Sequence, residues 1–435
     1  MKRLVCLLLI IVLLLCGCGL GEGAVAGDVF RPDYPTVSPT EPEDPQEILA
    51  HRRDVVEQAM REQSAILWTP AETFTYSRRN NSQGIVADEA EAPGDVSTFY
   101  KGQIYQGIPY THGSGSYFSF LSFATEKDEG GVYTLTGLTD QLLTGSSRNR
   151  ANSRARIGND CADQLFWAWA RISPSIQFSF TGTMTEFYGC LKVGDYEYTG
   201  TNFSAENNSK DIVKNNGQQR MFAAYTQLQK GDGMVLITKG GLGHAVMVVT
   251  TNPVYLEDGT IDGDKSYVTV LEQTSGPEEA ADPYFHEGIQ KMVYPCEIMD
   301  KQWSYSTLFS KGYLPVTCKE LIDPSPLPKA EITDFTDAPT FDNMFSGTIQ
   351  ANYRISSVTV NISQNGNTIQ EATCFGHQEE MYQFNLYRFT SSVERAVMQG
   401  YLKKDDLTPG TYQCTFTARL SNGENITFRD FTFEK

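Results

Sequence analysis

The sequence has few histidines and lacks the motifs by which many enzymes bind metal ions or nucleotides. Histidine occurs 5 times in 435 residues. The chain contains no His-Glu-x-x-His segment, no paired Cys-x-x-Cys segments and no phosphate-binding glycine loop. Because those patterns carry zinc catalysis and P-loop chemistry, we expect neither a metal nor another cofactor.

Basic residues are scarce relative to acidic ones. Lys and Arg number 35 against 53 Asp and Glu, which gives a net charge of −18. Such a charge repels polyanions and argues against DNA or RNA as a partner. Hydrophobic residues make up 40% of the chain, which is enough for more than one core, and the length fits two or three folded units.

The N-terminal apolar run is too short to stay in a bilayer as a permanent helix. It begins at Leu4 after a basic pair and ends at Leu15, which is the pattern of a secretory signal. Cys16-Gly17-Cys18 then resembles the bacterial lipobox, so Cys18 is the predicted site of lipid attachment. The alternative is a plain signal peptide removed by another peptidase.

Residues 1–18 therefore form the predicted lipoprotein signal, and residues 19–45 a disordered tether. The tether is rich in Gly, Pro, Asp and Glu and shows no apolar period. We expect an exported protein on the outer face of the cytoplasmic membrane. It would contact the membrane through the N-terminal lipid only and face the cell wall.

Residues 46–322 mix helical and β patterns, which predicts an α+β domain. An amphipathic helix is expected over 48–67 and a strongly apolar one over 162–172. Three β-rich runs follow, at 234–237, 244–250 and 267–271.

Three closely spaced prolines make residues 323–329 a predicted linker. Beyond it, short alternating strands between turn signals predict an all-β sandwich over 330–435. The segment Gly410-Thr411-Tyr412-Gln413-Cys414 is similar to the tyrosine corner of immunoglobulin-like domains. Residues 387–401 have a helical pattern and would be an insertion in that sandwich.

Six of the nine cysteines lie outside the signal and the lipid site. Cys161 is expected to be a free thiol because it is the candidate nucleophile, and the five cysteines that remain cannot all pair. We expect at most two disulfides, with Cys374 to Cys414 the first choice. The alternative is that all of them are buried and reduced.

Cys161 stands where a polar loop meets the apolar helix. At a helix N-terminus, backbone N–H groups and the helix dipole favour the thiolate, which is the form that attacks carbonyl carbons. A single cysteine is more often buried or bridged, so a catalytic role requires a partner.

The candidate partner is His244, at the head of an apolar strand and directly after glycines that allow close approach. His51 lies on the N-terminal helix, and His286 and His377 lie in polar loops, which leaves His112 as the rival.

A cysteine–histidine pair also needs a group that orients the imidazole. The next β run contains Glu272 and Gln273, whose side chains point to opposite faces of a strand. Only one of the two side chains can reach His244, and the strand pattern does not decide which one.

Four ordered segments resemble the motifs of NlpC-type cell-wall cysteine peptidases: Gly107-Ile108-Pro109-Tyr110, Asp160-Cys161-Ala162-Asp163, Lys230-Gly231-Asp232 and Gly243-His244. The run from Val270 to Thr274 resembles a segment of the related CHAP amidases whose glutamate orients the histidine. The resemblance covers about residues 48–321. It implies a papain-like α+β catalytic domain, followed here by the immunoglobulin-like sandwich.

The resemblance implies that Cys161 is the nucleophile and that His244 acts first as base and then as acid. Glu272 would orient His244, with Gln273 as second choice. The backbone N–H of Cys161 would donate to the oxyanion, an effect worth about 3–4 kcal/mol in comparable sites.

Three further residues receive substrate-binding roles from the same resemblance. Tyr110 would help to hold substrate or the oxyanion, Asp160 would shape the loop before the thiol, and His112 would belong to the Tyr110 loop and the cleft. Asp163 departs from the small glycine of the family. Insertions at 116–159 and 178–203 also depart from the family pattern, and they bear on the identity of the substrate more than on the fold.

The expected function is that of a lipid-anchored hydrolase, an endopeptidase or amidase, that cuts an amide of peptidoglycan through a thioester acyl-enzyme. Its partner would be the stem peptide, and the protein would be a monomer. One alternative is a catalytically retired papain-like lipoprotein that serves wall binding or adhesion, which the altered Asp-Cys-Ala-Asp motif favours. Another is a cysteine enzyme that acts on a non-wall amide.

Overall fold

A computed structural model describes most of the chain beyond the predicted tether. The described residues are 42–77, 96–108, 120–121, 123–136, 160–174, 176–178, 180–274, 296–336, 339–376, 382–391 and 398–435. Cys18, Tyr110 and His112 lie outside them, as do the signal and nearly all of the tether. Most of the insertion at 116–159 also lies outside.

Five α-helices occur in the described ranges. They are α1 (Pro45–Ala65), α2 (Cys161–Trp169), α3 (Ser209–Asn216), α4 (Gln218–Tyr225) and α5 (Tyr305–Lys311). Helix α1 begins at a proline, and the Asp44 side chain caps it by accepting from the backbone N–H groups of Gln46 and Glu47. No helix among the described residues has the length and apolar character needed to cross a membrane.

Twenty strands are described, and together they dominate the architecture. The first ten are β1 (Leu67–Pro70), β2 (Phe74–Ser77), β3 (Val96–Phe99), β4 (Tyr105–Gln106), β5 (Ala124–Lys127), β6 (Val132–Leu135), β7 (Cys190–Lys192), β8 (Gly233–Ile237), β9 (Gly243–Asn252) and β10 (Tyr267–Thr274). The others are β11 (Cys296–Ser304), β12 (Leu314–Cys318), β13 (Ile332–Asp334), β14 (Thr348–Ala351), β15 (Ile355–Gln364), β16 (Asn367–Phe375), β17 (Gln383–Asn385), β18 (Gln399–Tyr401), β19 (Thr411–Leu420) and β20 (Asn425–Glu434).

The strands form several separate sheets. Their orders are β4-β1-β6-β5, β11-β10-β9-β8-β12-β7, β13-β14-β17 and β18-β16-β15-β19-β20, together with the pair β2-β3. The six-stranded sheet carries His244 and Glu272 on neighbouring antiparallel strands, because a hairpin connects β9 to β10.

The predicted fold class is wrong. Strand exceeds helix, 35% against 24%, and four small sheets are arranged like the blades of a four-bladed β-propeller. The chain is therefore not a papain-like α+β domain followed by an immunoglobulin-like sandwich. Some strands lie where no β run was predicted: β1 begins at Leu67, the last residue of the helix expected over 48–67, and β11 is a largely polar run.

Two hydrophobic cores lie on either side of the proline-rich residues 323–329. The first contains buried residues of all five described α-helices and of β7 to β12, and the second contains buried residues of β14 to β17, β19 and β20. The site residues Cys161, His244 and Glu272 all belong to elements around the first core.

The helix expected over residues 387–401 is also wrong where the chain is described. Leu386–Thr390 is a short 3-10 helix and Gln399–Tyr401 is strand β18, while residues 392–397 lie outside the described part. Strand β18 adds to the edge of a sheet through β16. Edge pairing therefore outweighs the local helical preference of Gln399–Tyr401.

The disulfide expected between Cys374 and Cys414 is not formed, and all five cysteines whose side chains are described are reduced and buried. Cys374 lies opposite Val358 and Cys414 opposite Ile362, on the two sides of β15. Two strand spacings amount to about 9–10 Å, which exceeds the Cα separation of about 7 Å that a disulfide can bridge.

A buried arginine of α1 connects this helix to the turn that precedes β8. Arg53 Nη1 donates to the Asp232 carboxylate at 3.0 Å and to the Lys230 carbonyl at 2.6 Å, and its Nη2 donates to the Leu321 carbonyl at 2.9 Å. Thr317 also donates to the Asp232 carboxylate, at 2.7 Å. Both charges of this pair are buried, so they depend on each other for compensation.

We expect Arg53→Met to lower the free energy of unfolding by about 3–5 kcal/mol, because it leaves the Asp232 carboxylate buried without its cation. Chemical denaturation measures this change. The control is Asp195→Asn, since Asp195 forms an exposed pair with Arg220 and should cost less than about 1 kcal/mol. Equal effects of the two variants would contradict a structural role for the buried pair.

Candidate active site

At the N-terminus of α2, the backbone N–H of Cys161 has no hydrogen-bond acceptor among the described residues. Asp160 is the N-cap, and its Oδ1 accepts from the N–H groups of Ala162 at 3.0 Å and Asp163 at 2.9 Å. The cap therefore uses the donors of the second and third helical residues. Among the described residues nothing accepts from the Cys161 N–H, which is left to bind an anion next to the sulfur.

Helix α2 is held against the six-stranded sheet by a close contact at a glycine. A Cβ at Gly233 would lie 2.9 Å from the Leu165 side chain and 3.1 Å from the Trp169 ring, so only glycine allows this approach. The Trp169 indole Nε1 also donates to the Gly231 carbonyl at 2.7 Å. The Gly-Asp turn found in the sequence thus fixes the C-terminal end of the helix that carries Cys161.

His244 is the second residue of β9, and the glycine before it is also required by packing. A Cβ at Gly243 would lie 1.8 Å from Thr181 Oγ1. The imidazole is 20% exposed, whereas the Cys161 residue is 4% exposed. Solvent therefore reaches the ring more readily than the sulfur.

The structure brings Cys161, His244 and Glu272 together. His244 Nε2 lies 2.9 Å from Glu272 Oε2, and the Cys161 side chain lies close enough to the same imidazole to interact with it. An ionised carboxylate can only accept, so Nε2 carries the proton in this contact. The other ring nitrogen, Nδ1, is then the one that can take a proton from sulfur.

Electrostatics favour the charged form of the imidazole. Burial alone would lower the pKa of His244, but the negative charge and hydrogen bond of Cys161, followed by those of Glu272, raise this pKa from 6.5 to about 10. Glu272 is pushed upward by burial too, yet its hydrogen bond and attraction to His244, and then its contact with Lys301, hold the pKa of Glu272 below its ordinary value. The carboxylate therefore stays ionised and oriented.

The geometry distinguishes the two orienting candidates. Glu272 reaches His244, whereas Gln273 is fully buried on the opposite face of β10 and donates from Nε2 to the Ile108 carbonyl at 2.7 Å. Ile108 directly precedes the segment that contains Tyr110 and His112. Gln273 therefore anchors the start of that segment, and the structure says nothing of Tyr110 or His112 themselves.

Lys301 belongs to the site, and Tyr313 packs on the neighbouring Trp303 with ring centres 4.9 Å apart. Sequence reasoning missed both residues. Lys301 Nζ lies 3.0 Å from Glu272 Oε1 and 5.2 Å from the centre of the Trp303 ring. Burial, with a smaller contribution from the charges of Glu272 and Cys161, raises the pKa of Tyr313 well above its ordinary value. The sequence signal that could have found Lys301 is its position two residues before Trp303 in β11. This signal is weak because the residues around it are largely polar and show no strand pattern.

Neither a comparison with protein-family models nor a search of curated proteins finds a match to this chain. Within the described ranges, no cluster of three or more His, Cys, Asp or Glu side chains could hold a metal ion.

We expect His244 to stay protonated to about pH 10 in the intact site and to titrate at a lower pH in Cys161→Ala, which removes the sulfur charge. The protonated ring contributes stability that is fully present below its ordinary pKa of 6.5 and is lost as pH rises through about 10. NMR titration of the histidine ring protons measures the pKa, and His244→Gln identifies the signal. Equal midpoints in both proteins would contradict the pairing.

We expect Lys301→Met to slow alkylation of Cys161 by iodoacetamide at neutral pH by about tenfold, because a charge-assisted contact that holds Glu272 is lost. The matched control is Lys311→Met, because Lys311 stacks on the same Trp303 ring at 4.8 Å and has no ion pair with Glu272 among the described residues. Equal rates for the two variants would remove Lys301 from the site.

Proposed function

We propose that this protein is an extracytoplasmic, lipid-anchored cysteine hydrolase that cleaves an amide bond of cell-wall peptidoglycan through a thioester acyl-enzyme. The observation that carries the proposal is the placement of the His244 imidazole between the Cys161 thiol and the Glu272 carboxylate. The substrate class rests on the export signal and on the four ordered motifs that resemble cell-wall cysteine peptidases.

Before the first step the thiol proton already lies on His244 Nδ1, and the Cys161 thiolate of this ion pair attacks the carbonyl carbon of the amide. The carbonyl π electrons move to oxygen, and the Cys161 N–H at the start of α2 can donate to this oxyanion. Glu272 accepts from Nε2–H and stabilises the imidazolium that forms.

In the second step the tetrahedral intermediate collapses, the C–N bond breaks, and His244 gives its proton to the leaving amine. A thioester on Cys161 remains. Water, deprotonated by His244, then attacks the thioester carbon, the C–S bond breaks, and the free carboxylic acid leaves. Sulfur leaves as the thiolate and the proton taken from water stays on His244, so the starting ion pair is regenerated.

We expect purified peptidoglycan to release fragments with wild-type protein and none with Cys161→Ala, because the variant has no nucleophile. Cys414→Ala is the matched control, since it removes a buried thiol from the second core and should leave release unchanged. Mass and free-amine analysis of the fragments separates endopeptidase from amidase activity.

Two outcomes would end the hydrolase proposal: the same fragments from wild type and Cys161→Ala, or none from either. Binding to peptidoglycan by both proteins without release would instead support a retired wall-binding lipoprotein. Release of amines from soluble amides alone would point to a non-wall substrate.

A further inference from the structure

A buried arginine outside the first core packs on the helix that carries Cys161. Arg354 directly precedes β15, in a stretch whose neighbours Tyr353 and Ile355 belong to the second core, and it is 1% exposed. Its guanidinium carbon lies 4.5 Å from the centre of the Phe166 ring and 4.0 Å from that of the Trp167 ring. Both rings belong to α2.

The face of α2 that Arg354 meets also carries an acidic residue. Asp163, Phe166 and Trp167 are spaced i, i+3 and i+4 and therefore share one side of the helix. Asp163 is fully buried and attracts the Arg354 charge. This is the residue that stands where the resembling peptidases have glycine, so the departure provides the buried cation with a counter-charge.

The guanidinium is held by charge and stacking. No hydrogen-bond partner for its nitrogens lies within the described ranges, and burial lowers the pKa of Arg354 to about 10 against the opposing effect of Asp163. A planar guanidinium that stacks on two aromatic rings fixes the orientation of α2 relative to Arg354 as well as the distance between them.

A second contact joins the same two parts of the chain beyond the other end of α2. The Tyr382 hydroxyl donates to the Ile176 carbonyl, and burial raises the pKa of Tyr382 to about 12, with the Arg354 charge opposing it. The phenol therefore stays neutral as a donor. Helix α2 is nine residues long, too short to be stable by itself, so its position depends on such packing.

We propose that Arg354 is a positioning residue for the nucleophile: by stacking on Phe166 and Trp167 opposite Asp163, it fixes α2 so that the Cys161 sulfur meets His244. The C-terminal strands thus form part of the catalytic unit. The catalytic consequence rests on the proposed hydrolase function, whereas the effect on the thiol does not.

The test compares Arg354→Met with Arg388→Met in the full chain. Arg388 is a buried arginine of the second core that stacks on Phe384 at 4.6 Å and donates to the Phe375 carbonyl, so its loss tests structural damage alone. Both variants should lower the unfolding midpoint. Only Arg354→Met should slow iodoacetamide alkylation of Cys161, by about tenfold at a temperature well below that midpoint, and lower the pH at which His244 titrates.

Equal alkylation rates and equal His244 titration in the two folded variants would overturn the proposal and leave Arg354 as a contact between cores. If Arg354→Met does not fold, Arg354→Lys decides, because it keeps the charge and loses the planar group. Alkylation of Cys161 slower than in wild type is then expected, and a wild-type rate would overturn the proposal. Because alkylation needs no peptidoglycan, failure of wall cleavage in wild type would reject the hydrolase function without deciding the role of Arg354.

Discussion

Glu272 is a buried carboxylate with a cation at each oxygen, and the candidate site depends on it. Oε2 meets the His244 ring at 2.9 Å and Oε1 meets Lys301 at 3.0 Å. A carboxylate that is 2% exposed would normally be driven toward its neutral form. The two cations keep it ionised, and an ionised Glu272 fixes both the tautomer and the angle of His244. The imidazole is thereby turned toward Cys161, at the start of a helix whose first N–H has no other acceptor among the described residues.

The elements that carry the site residues are held in place mainly by close contacts at glycines and by a buried ion pair, rather than by large packing surfaces. Gly233 lets α2 lie against the sheet, and Gly243 lets Thr181 approach the strand that begins with His244. Arg53 joins the buried Asp232 turn to α1. A short helix and a strand end can hold a sulfur and a ring in register only when such contacts fix each of them from several sides.

Local patterns predicted much of the site, and long-range pairing explains the rest. Cys161 at a helix start, His244 at a strand head and the β run that carries Glu272 follow from periodicity and turn residues near them in sequence. Strand alternation left both Glu272 and Gln273 open, because it separates the faces but does not say which face meets α2, and only the family resemblance made Glu272 the first choice. Lys301 is 29 residues from Glu272 and became a neighbour only through the pairing of β10 with β11. The fold class failed for the same reason: Tyr412 does donate to the Thr408 carbonyl, yet that local turn does not specify how sheets are arranged.

The most direct measurement is the rate at which each cysteine of the folded protein is alkylated at neutral pH, followed residue by residue with mass spectrometry. Burial raises the pKa of Cys190 and Cys318 well above the ordinary value and that of Cys414 to about 12, so these thiols should be inert. The account predicts that Cys161 reacts at least tenfold faster than any of them and that Glu272→Gln removes the difference. Alkylation of Cys161 no faster than that of Cys190 would contradict a sulfur activated by His244.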